Sequence, residues 1–471
     1  MEVRGVAGSG KTTLLQEAVK AVVDLSGKDV LVFAPSSSAV EVLKDQGFRA
    51  SETVQGLMRN SLLQDVARGK VLLVDEAGFL SAKQMRWIVK FSSENGCRLI
   101  LSGDTRQHHS VERGDSLRVL ENIGALKPAV LTKIFRQKIA VLREAVGELA
   151  KGKTESGFDK LDAVGAIQEI EDQAARMEAI CQKYLEAARN KKTSLIVAPT
   201  HGECRQIAAA VRQALKKEGI LSQVDQTVTR LGRLNLTGAQ RQDAVNYQSG
   251  NVIEFHQRAA GGFKSGEQWK VVGRQGASEL VLERDGKKRF FSLSRPGSFN
   301  VFEPESIPLS VGDRVRITKN FKSQGKQFRN NELHTVTRIE DGKITLDGAE
   351  IISRGGLHID QGFVITSHAA QGKTVDQVIV SVPIDSFTQV NEAQFYVSMS
   401  RGREAMHLFT DSKVALREAV TRPTSRLSPL ELINAEEIGV LQSAGKHLRS
   451  FGKGHQKRQN MNQEQERGIE R

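Results

Sequence analysis

Gly5-Val6-Ala7-Gly8-Ser9-Gly10-Lys11-Thr12 follows a short strand-like run and precedes a helical pattern that we predict to begin at Thr12. Glycines leave backbone N–H groups free to surround phosphate oxygens, and the helix N-terminus adds the positive end of its dipole. We expect Lys11 to reach the β- and γ-phosphates of ATP and the Thr12 hydroxyl to bind Mg²⁺. A chance glycine-rich turn is the alternative. The residues expected to hold the nucleotide here are Gly5, Gly8, Ser9, Gly10, Lys11, Thr12 and Thr13.

A pair of carboxylates follows an apolar run about 60 residues further on. Val71-Leu72-Leu73-Val74 reads as a buried strand, and Asp75 and Glu76 come directly after it. We expect Asp75 to bind Mg²⁺ through water and Glu76 to polarise the water that attacks the γ-phosphate. An Asp-Glu pair is otherwise a solvated loop, but its place at a strand end favours a catalytic role.

A polar cluster follows the next strand-like run, 98–103, at the carboxyl edge of the predicted sheet, where ligands of open α/β sheets bind. We expect Gln107 in this cluster to contact the γ-phosphate. The cluster also contains two consecutive histidines, His108 and His109. A metal role for them is not favoured, because no third ligand is evident and Mg²⁺ prefers oxygen.

Composition sets the class of protein. The 471 residues carry a net charge of +13, a pI near 9.6 and 39% hydrophobic residues, which excludes an acidic buffer protein, a collagen-like repeat and a mostly disordered chain. A basic surplus is what a polyanion-binding surface needs. The three cysteines lie far apart, so neither a disulfide framework nor a zinc site is predicted. With no bilayer-spanning apolar run and no signal-peptide pattern, we expect a cytoplasmic protein.

Strand-like runs alternate with amphipathic stretches, which favours an α/β fold with parallel sheets. A second such series starts near 195, is interrupted from about 223 to 362, and resumes at 364. The interruption contains short strands with Asp-Gly turns, typical of a small antiparallel barrel or two. The predicted units are lobe one (1–140), a helical connection with the start of lobe two (141–222), a β-rich insertion (223–362), the rest of lobe two (363–420) and a flexible basic tail (421–471).

These segments, in this order, resemble motifs I, II and III of superfamily 1 helicases. Further segments resemble the remaining motifs of that superfamily: 34–39, 53–57, 134–137, 366–374 and 396–403. Within the superfamily the chain is most similar to the RecD-like helicase portion of conjugative relaxase-helicases of the TraI and TrwC type. Segments 110–116, 198–201 and 247–252 carry that finer resemblance.

The resemblance implies two RecA-like parallel-sheet lobes, an SH3-like β-barrel insertion in the second lobe, and ATP-driven movement along single-stranded DNA with 5′ to 3′ polarity. It also places Arg136 and Arg401 at the lobe junction as arginine fingers for the γ-phosphate, with Arg403 as a competing candidate. Gln371 and Gly372 are expected to contact the nucleotide. The remaining polar residues at strand ends are expected to hold the DNA backbone: Ser36, Thr53, Thr200, His201, Thr366, Ser367 and His368. Helix capping is the alternative role for the hydroxyls among them.

Two departures from the relatives shape the expectation. The catalytic tyrosine and metal-binding histidine cluster of a relaxase have no counterpart here, so DNA nicking is not predicted. The chain starts four residues before the phosphate loop, so we expect a fragment, a truncated product or an internal start. A monomeric helicase or translocase that works with conjugation or DNA-processing proteins is the main hypothesis. A single-strand DNA-binding module with a silent ATPase is the rival, and an RNA helicase is a further alternative.

Overall fold

In the computed structural model the described residues are 1–422, except for 111, 113, 341–342 and 353–355. The predicted flexible tail therefore lies outside the described residues, apart from Thr421 and Arg422. Arg422 donates a hydrogen bond to the carbonyl oxygen of Phe387 at 3.1 Å, so the chain is still packed on the second lobe at that point. In this part of the chain no helix is both long and apolar enough to cross a membrane.

Lobe one is a parallel sheet with helices on both faces, as predicted. The strands run in the order β3-β2-β4-β5-β1-β6, so β5 lies between the strand that leads into the phosphate loop and the strand that ends at Asp75. The strands are β1 (Glu2–Gly5), β2 (Val30–Ala34), β3 (Glu52–Thr53), β4 (Val71–Val74), β5 (Arg98–Gly103) and β6 (Pro128–Leu131). The helices are α1 (Lys11–Ser26), α2 (Ser37–Asp45), α3 (Val54–Arg59), α4 (Ser61–Ala67), α5 (Ala82–Glu94) and α6 (Ser116–Asn122).

Burial explains why these strands read as continuous apolar runs. All four residues of β4 are buried, because helices cover both faces of the sheet. Leu15 of α1 and Leu43 of α2 pack on one face, while Leu57 of α3 and Ile88 of α5 pack on the other.

Lobe two repeats this architecture around the parallel sheet β22-β8-β23-β24-β7. Its strands are β7 (Ile167–Glu169), β8 (Ser194–Val197), β22 (Val364–Ile365), β23 (Val375–Ser381) and β24 (Gly402–Thr410). Its helices are α7 (Ala140–Ala150), α8 (Thr154–Ala163), α9 (Gln173–Arg189), α10 (His201–Lys217), α12 (Ser367–Ala370), α13 (Glu392–Met399) and α14 (Lys413–Val420). The sheet is discontinuous in sequence, because β22 rejoins β8 after the insertion.

The insertion is antiparallel, as predicted, and it forms two sheets with separate apolar cores. The first sheet has the order β13-β12-β11-β10-β14-β9, and the second has the order β20-β19-β18-β15-β21, beside the β16-β17 hairpin. The first contains β9 (Gln226–Leu234), β10 (Val252–Phe255), β11 (Gln268–Gln275), β12 (Glu279–Arg284), β13 (Lys287–Ser292) and β14 (Phe299–Leu309), with the short helix α11 (Gly238–Gln242). The others are β15 (Arg314–Ile317), β16 (Phe321–Ser323), β17 (Lys326–Phe328), β18 (Leu333–Glu340), β19 (Lys343–Leu346), β20 (Ala349–Ile352) and β21 (Ile359–Gln361).

The length of the insertion accounts for the two cores. The long pair β9 and β14 of the first sheet stays in register from Gln226↔Leu309 to Leu234↔Val301. Residues from one end of this pair enter the first core, and residues from the other end enter the second core. In the first core Phe255 stacks on Phe263, and Phe291 meets both rings edge to face, with ring centroids 4.6 to 5.2 Å apart. Aliphatic residues such as Val315 and Ile344 fill the second core. The SH3-like form of this insertion stays a prediction.

Candidate nucleotide and nucleic-acid site

The phosphate loop is shaped by two glycines with left-handed backbone angles. Gly8 and Gly10 have φ of +77° and +76°, a region that side chains rarely adopt. A Cβ atom on Gly8 would lie 2.4 Å from the Cβ atom of Arg136, so that position has no room for a side chain. The N–H of Phe135 donates to the Gly8 carbonyl oxygen at 2.8 Å. The loop is therefore packed against the segment that contains the first candidate arginine finger.

Two polar atoms of the loop are buried without a protein partner: the Lys11 ammonium and the Ser9 hydroxyl. Burial lowers the pKa of Lys11, but the negative charges of Glu76, Asp75 and Asp104 outweigh it and raise that pKa. The ammonium is thus kept charged with its donors unused. Buried polar groups are otherwise hydrogen-bonded, so the loop residues fit an anionic ligand such as a nucleotide phosphate.

The predicted magnesium ligand Asp75 lies at the end of β4, next to Ser102 of β5. The Ser102 hydroxyl donates to Asp75 at 2.8 Å. Burial and the neighbouring Glu76 raise the pKa of Asp75, so a bound cation would favour its charged form. Asp75 and the Thr12 hydroxyl fit Mg²⁺, which takes few protein ligands and completes its shell with phosphate and water. Among the described residues no group of three or more His, Cys, Asp or Glu residues could hold a metal ion.

Glu76 has a strained backbone, with φ of +52°. A left-handed conformation at a residue other than glycine costs about 1 to 3 kcal/mol and is found at active sites that hold a side chain in place. Its negative charge helps to raise the pKa of Lys11 and opposes the lowering of the Arg401 pKa by burial, so the three groups interact electrostatically. The carboxylate thus lies near both the lysine of lobe one and an arginine of lobe two.

Gln107 belongs to a buried cluster that joins the two lobes. Its amide donates to Asp104 at 2.9 Å, and Asp104 also accepts from the hydroxyl of Tyr396 at 3.0 Å. The same hydroxyl accepts the N–H of Ala7 at 2.7 Å. Burial and Asp104 hold the pKa of Tyr396 well above its usual value, so the phenol stays protonated. Tyr396 is a site residue that sequence reasoning missed, although it lies in the quoted segment 396–403.

The two candidate arginine fingers converge at the lobe junction, and their surroundings differ. Arg136 donates to the carbonyl oxygen of Ser400 at 2.9 Å. Arg401 is 1% exposed and donates to the carbonyl oxygen of Val397 and to the Ser400 hydroxyl, both at 2.7 Å. Burial and the nearby Arg136 lower the pKa of Arg401 to about 9. Most donors of Arg401 are therefore used within lobe two.

Arg403, the competing candidate, lies at the surface in an ion pair with Asp376 at 3.0 Å. Gln137 was not predicted as a site residue, yet its buried amide donates to the carbonyl oxygens of Ser400 and Gly402 at 3.2 and 2.9 Å. Of the nucleotide-contact candidates in lobe two, Gln371 has a buried Oε1 that accepts no hydrogen bond, and Gly372 is exposed.

Three of the hydroxyls predicted to hold DNA cap helices. Ser36, Thr53 and Thr200 accept the N–H of the residue three positions later at 3.2, 2.9 and 3.1 Å. The capping role is thus established for these three, and a role in DNA binding stays a prediction. Thr366 occupies the N-cap position of α12 without a side-chain hydrogen bond, so its hydroxyl is not used for capping.

The other candidates group around Thr366. His201 and Thr366 line one shallow cleft together with Arg205, Arg316 and Asp360. Arg205 and Arg316 had not been predicted as site residues. Ser367 and His368 contact His108 of lobe one. Lobe one also contacts the insertion, where the Asn320 amide donates to the Ser37 hydroxyl at 2.9 Å.

Comparison with known proteins finds relatives that are named as conjugation proteins and helicases. A model of the AAA domain family matches residues 1–172. The multifunctional conjugation protein TraI of Escherichia coli is 23% identical over 523 residues, which covers 96% of this chain and 29% of TraI. The conjugal transfer protein TraA of Agrobacterium fabrum is 26% identical over 409 residues, covering 86% of this chain and 30% of TraA. These matches support a RecD-like helicase of superfamily 1.

The chain spans about three tenths of the length of these two relatives. The ATP-dependent DNA helicase dda of phage T4 is 26% identical over 148 residues, 29% of this chain and 32% of that protein. Among solved structures, Pif1 helicase from Candida albicans is similar at 15% identity and a TM-score of 0.42, with 90% of this chain and 93% of that chain covered. The matches to the AAA domain family, TraI and TraA support the resemblance inferred from the motifs.

Proposed function

We propose that this chain hydrolyses ATP with Mg²⁺ and uses the cycle to move along single-stranded DNA in the 5′ to 3′ direction. The observation that carries the proposal is that both lobes contribute to one site: Tyr396 of lobe two accepts the N–H of Ala7 in the phosphate loop, and Arg401 of lobe two lies close enough to Glu76 of lobe one for their charges to interact. Because the site is complete only when the two lobes are together, hydrolysis is coupled to their separation. The polarity comes from the family resemblance alone.

The residues divide the chemistry among them. Lys11 and the loop amides bind the β- and γ-phosphates and offset their charge. Glu76 accepts a proton from the attacking water as general base. Arg136 stabilises the negative charge that develops on the transferred phosphoryl group, an effect worth about 10³- to 10⁵-fold in rate. Asp75 and Thr12 would hold Mg²⁺, which would neutralise further phosphate charge.

Single-stranded DNA is the proposed track. The polar groups at the strand ends of both lobes, together with Arg205 and Arg316 beside Thr366, suit a sugar-phosphate backbone. Since the matched relatives are named as conjugation and conjugal transfer proteins, we include conjugation or DNA-processing proteins among the partners, and we propose a monomeric motor.

The deciding experiment is steady-state ATP hydrolysis with and without single-stranded DNA. We expect DNA to stimulate turnover, and Glu76→Gln to lower it by about 10²- to 10⁴-fold because the general base is lost. Glu17→Gln, at an exposed carboxylate of the same lobe, is the matched control and should behave as wild type. If the wild type binds DNA but does not hydrolyse ATP, the motor hypothesis is rejected in favour of a DNA-binding module with a silent ATPase.

Two further assays separate the finer parts of the proposal. Displacement of streptavidin from a biotin at the 3′ end, but not at the 5′ end, of a single strand is the result expected for 5′ to 3′ movement. Stimulation of ATP hydrolysis by DNA should exceed that by an RNA strand of the same sequence. Equal or greater stimulation by RNA would favour the RNA helicase instead.

A further inference from the structure

A continuous series of contacts runs from the phosphate loop to residues 366–368, which form the turn at the start of helix α12. The N–H of Ala7 donates to Tyr396, which donates to Asp104, and Asp104 also accepts from Gln107, at 2.7, 3.0 and 2.9 Å. Each of these contacts is buried, and the first two join lobe one to α13 of lobe two. The next residue in the chain, His108, extends the line away from the nucleotide site.

His108 crosses to lobe two through two contacts. Its Nε2 atom lies 2.9 Å from the Ser367 hydroxyl oxygen, and its ring stacks on His368 with centroids 3.7 Å apart and planes tilted by 33°. Both partners belong to the turn proposed to hold DNA. Burial, together with the charges of His368, Arg401 and His109, holds the pKa of His108 well below its usual value. The ring is therefore neutral near pH 7 and does not repel His368 as a cation.

The adjacent His109 provides an internal comparison. Its Nδ1 atom lies 3.0 Å from Asp115, so it contacts lobe one and not the DNA-side turn. It has the same chemistry as His108, one position later in the chain. The two imidazoles differ in their partners, and His108 is also the more deeply buried of the two.

We propose that His108 is a positioning residue that couples the nucleotide site to the DNA-binding turn of the second lobe through its stack on His368. The proposal rests on the proposed function. In this scheme His108 touches neither nucleotide nor DNA; it transmits the position of Gln107 and Asp104 to Ser367 and His368. Rings in close contact either stay stacked or separate when the lobes move, which gives the pair two discrete arrangements.

The test measures thermodynamic coupling, which is reciprocal between two ligands. The dissociation constant of a fluorescent oligothymidylate is measured with and without a nonhydrolysable ATP analogue. We expect the analogue to change DNA affinity by about 5- to 150-fold in the wild type, the usual range for coupled sites. In His108→Ala the ratio should fall towards one, whereas His109→Ala should keep the wild-type ratio. His108→Phe keeps a ring for stacking and should recover most of the ratio.

The outcomes separate this inference from the function on which it rests. If the wild type shows neither DNA-stimulated turnover nor a change in DNA affinity with the analogue, the proposed function fails and the inference with it. If the wild type is coupled and His108→Ala keeps its ratio, the inference alone is overturned. An equal loss of affinity with and without the analogue leaves the ratio unchanged, and it would assign His108 a merely structural role. Failure of His108→Phe to recover the ratio would overturn the ring stack as the carrier.

Discussion

The two arginines at the lobe junction illustrate how surroundings decide the role of a residue. Arg401 is buried, and its donors are used by residues of its own lobe. Its hydrogen bonds stabilise the C-terminal end of α13 and the turn that follows. Arg136 makes one hydrogen bond to Ser400 and lies against the phosphate loop at Gly8. Arg136 therefore has more donors available for a phosphoryl group.

We predict that Arg136→Ala lowers kcat for ATP hydrolysis by about 10³-fold, at the lower end of the range for arginine fingers. Arg403→Ala, which removes the half-buried partner of Asp376, is the comparison and should keep the wild-type kcat. Both values come from steady-state kinetics at saturating ATP and DNA. A larger loss in Arg403→Ala than in Arg136→Ala would identify Arg403 as the finger.

Glu2 is predicted to make the stability of lobe one dependent on pH. Its side chain is buried in β1, which lies between β5 and the edge strand β6, and its carboxylate oxygens accept no hydrogen bond. Burial, then the neighbouring Glu121, raises its pKa from 4.5 to about 8. The folded state thus keeps a proton that the unfolded state releases near pH 4.5. The stability from this group is present in full below that pH and is lost as the pH rises through about 8.

Glu2→Gln removes that titration, so its melting temperature should exceed that of the wild type by several degrees at pH 8 and by less at pH 5. Thermal unfolding at the two pH values measures the difference. Glu52→Gln, at an exposed position of the same lobe, should change the melting temperature equally at both. The same difference at pH 5 and pH 8 for Glu2→Gln would show that its carboxyl does not titrate in this window.

At the scale of elements, the insertion is fixed to lobe two by a buried ion pair on α10. The Nε and Nη2 atoms of Arg212 both donate to the carboxylate of Asp313 at 2.8 Å, and Asp313 also accepts the N–H of Ser310 at 2.7 Å. Arg212 is 6% exposed and Asp313 is fully buried. Such a bidentate pair defines the angle between a helix and the strand that starts beside it.

We predict that Asp313→Ala lowers the free energy of unfolding by about 3 kcal/mol, because it leaves a buried guanidinium with fewer partners. The matched control is Glu218→Gln, which removes the partner of Arg189 from an exposed ion pair of the same lobe and should cost about 0 to 1 kcal/mol. Urea unfolding followed by circular dichroism measures both. Equal costs would show that the buried pair does not hold the insertion in place.

At the scale of the whole molecule, the net charge of +13 favours binding to a polyanion, and the lobes and insertion contact one another around the proposed DNA residues. Phosphate contacts by lysine and arginine release counterions, so affinity falls as salt rises. The charge therefore predicts a strong salt dependence whatever the sequence of the strand.

We expect the logarithm of the association constant for single-stranded DNA to fall linearly with the logarithm of salt concentration, with a slope of about −0.7 for each phosphate contacted. Arg205→Ala, in the cleft beside Thr366, should make the slope less steep by about one such unit. Arg189→Ala, at a surface pair on α9, should leave the slope unchanged. Fluorescence anisotropy titrations over a salt series measure the slopes, and a flat dependence would contradict a basic DNA groove.

The local chemistry of the site could be predicted from the sequence, because its residues are near neighbours in the chain. A phosphate loop combines glycines such as Gly8 and Gly10, a lysine and the start of a helix within eight residues. The buried strand that precedes Asp75 is predicted by its run of apolar residues. The parallel sheets and the antiparallel insertion followed from the same periodicities. The same periodicities left open whether the insertion forms one core or two, because strand pairing depends on contacts between distant residues.

What only the tertiary structure decided are the contacts between the lobes. Ala7 meets Tyr396 across 389 positions and His108 meets Ser367 across 259, and no local pattern encodes such pairs. The sequence alone determined that the chain has a phosphate loop, two α/β lobes and a basic surface. The fold decided which arginine has free donors, which hydroxyls are used as helix caps and which histidine faces the other lobe, since burial and hydrogen-bond partners depend on the packing of elements far apart in the chain.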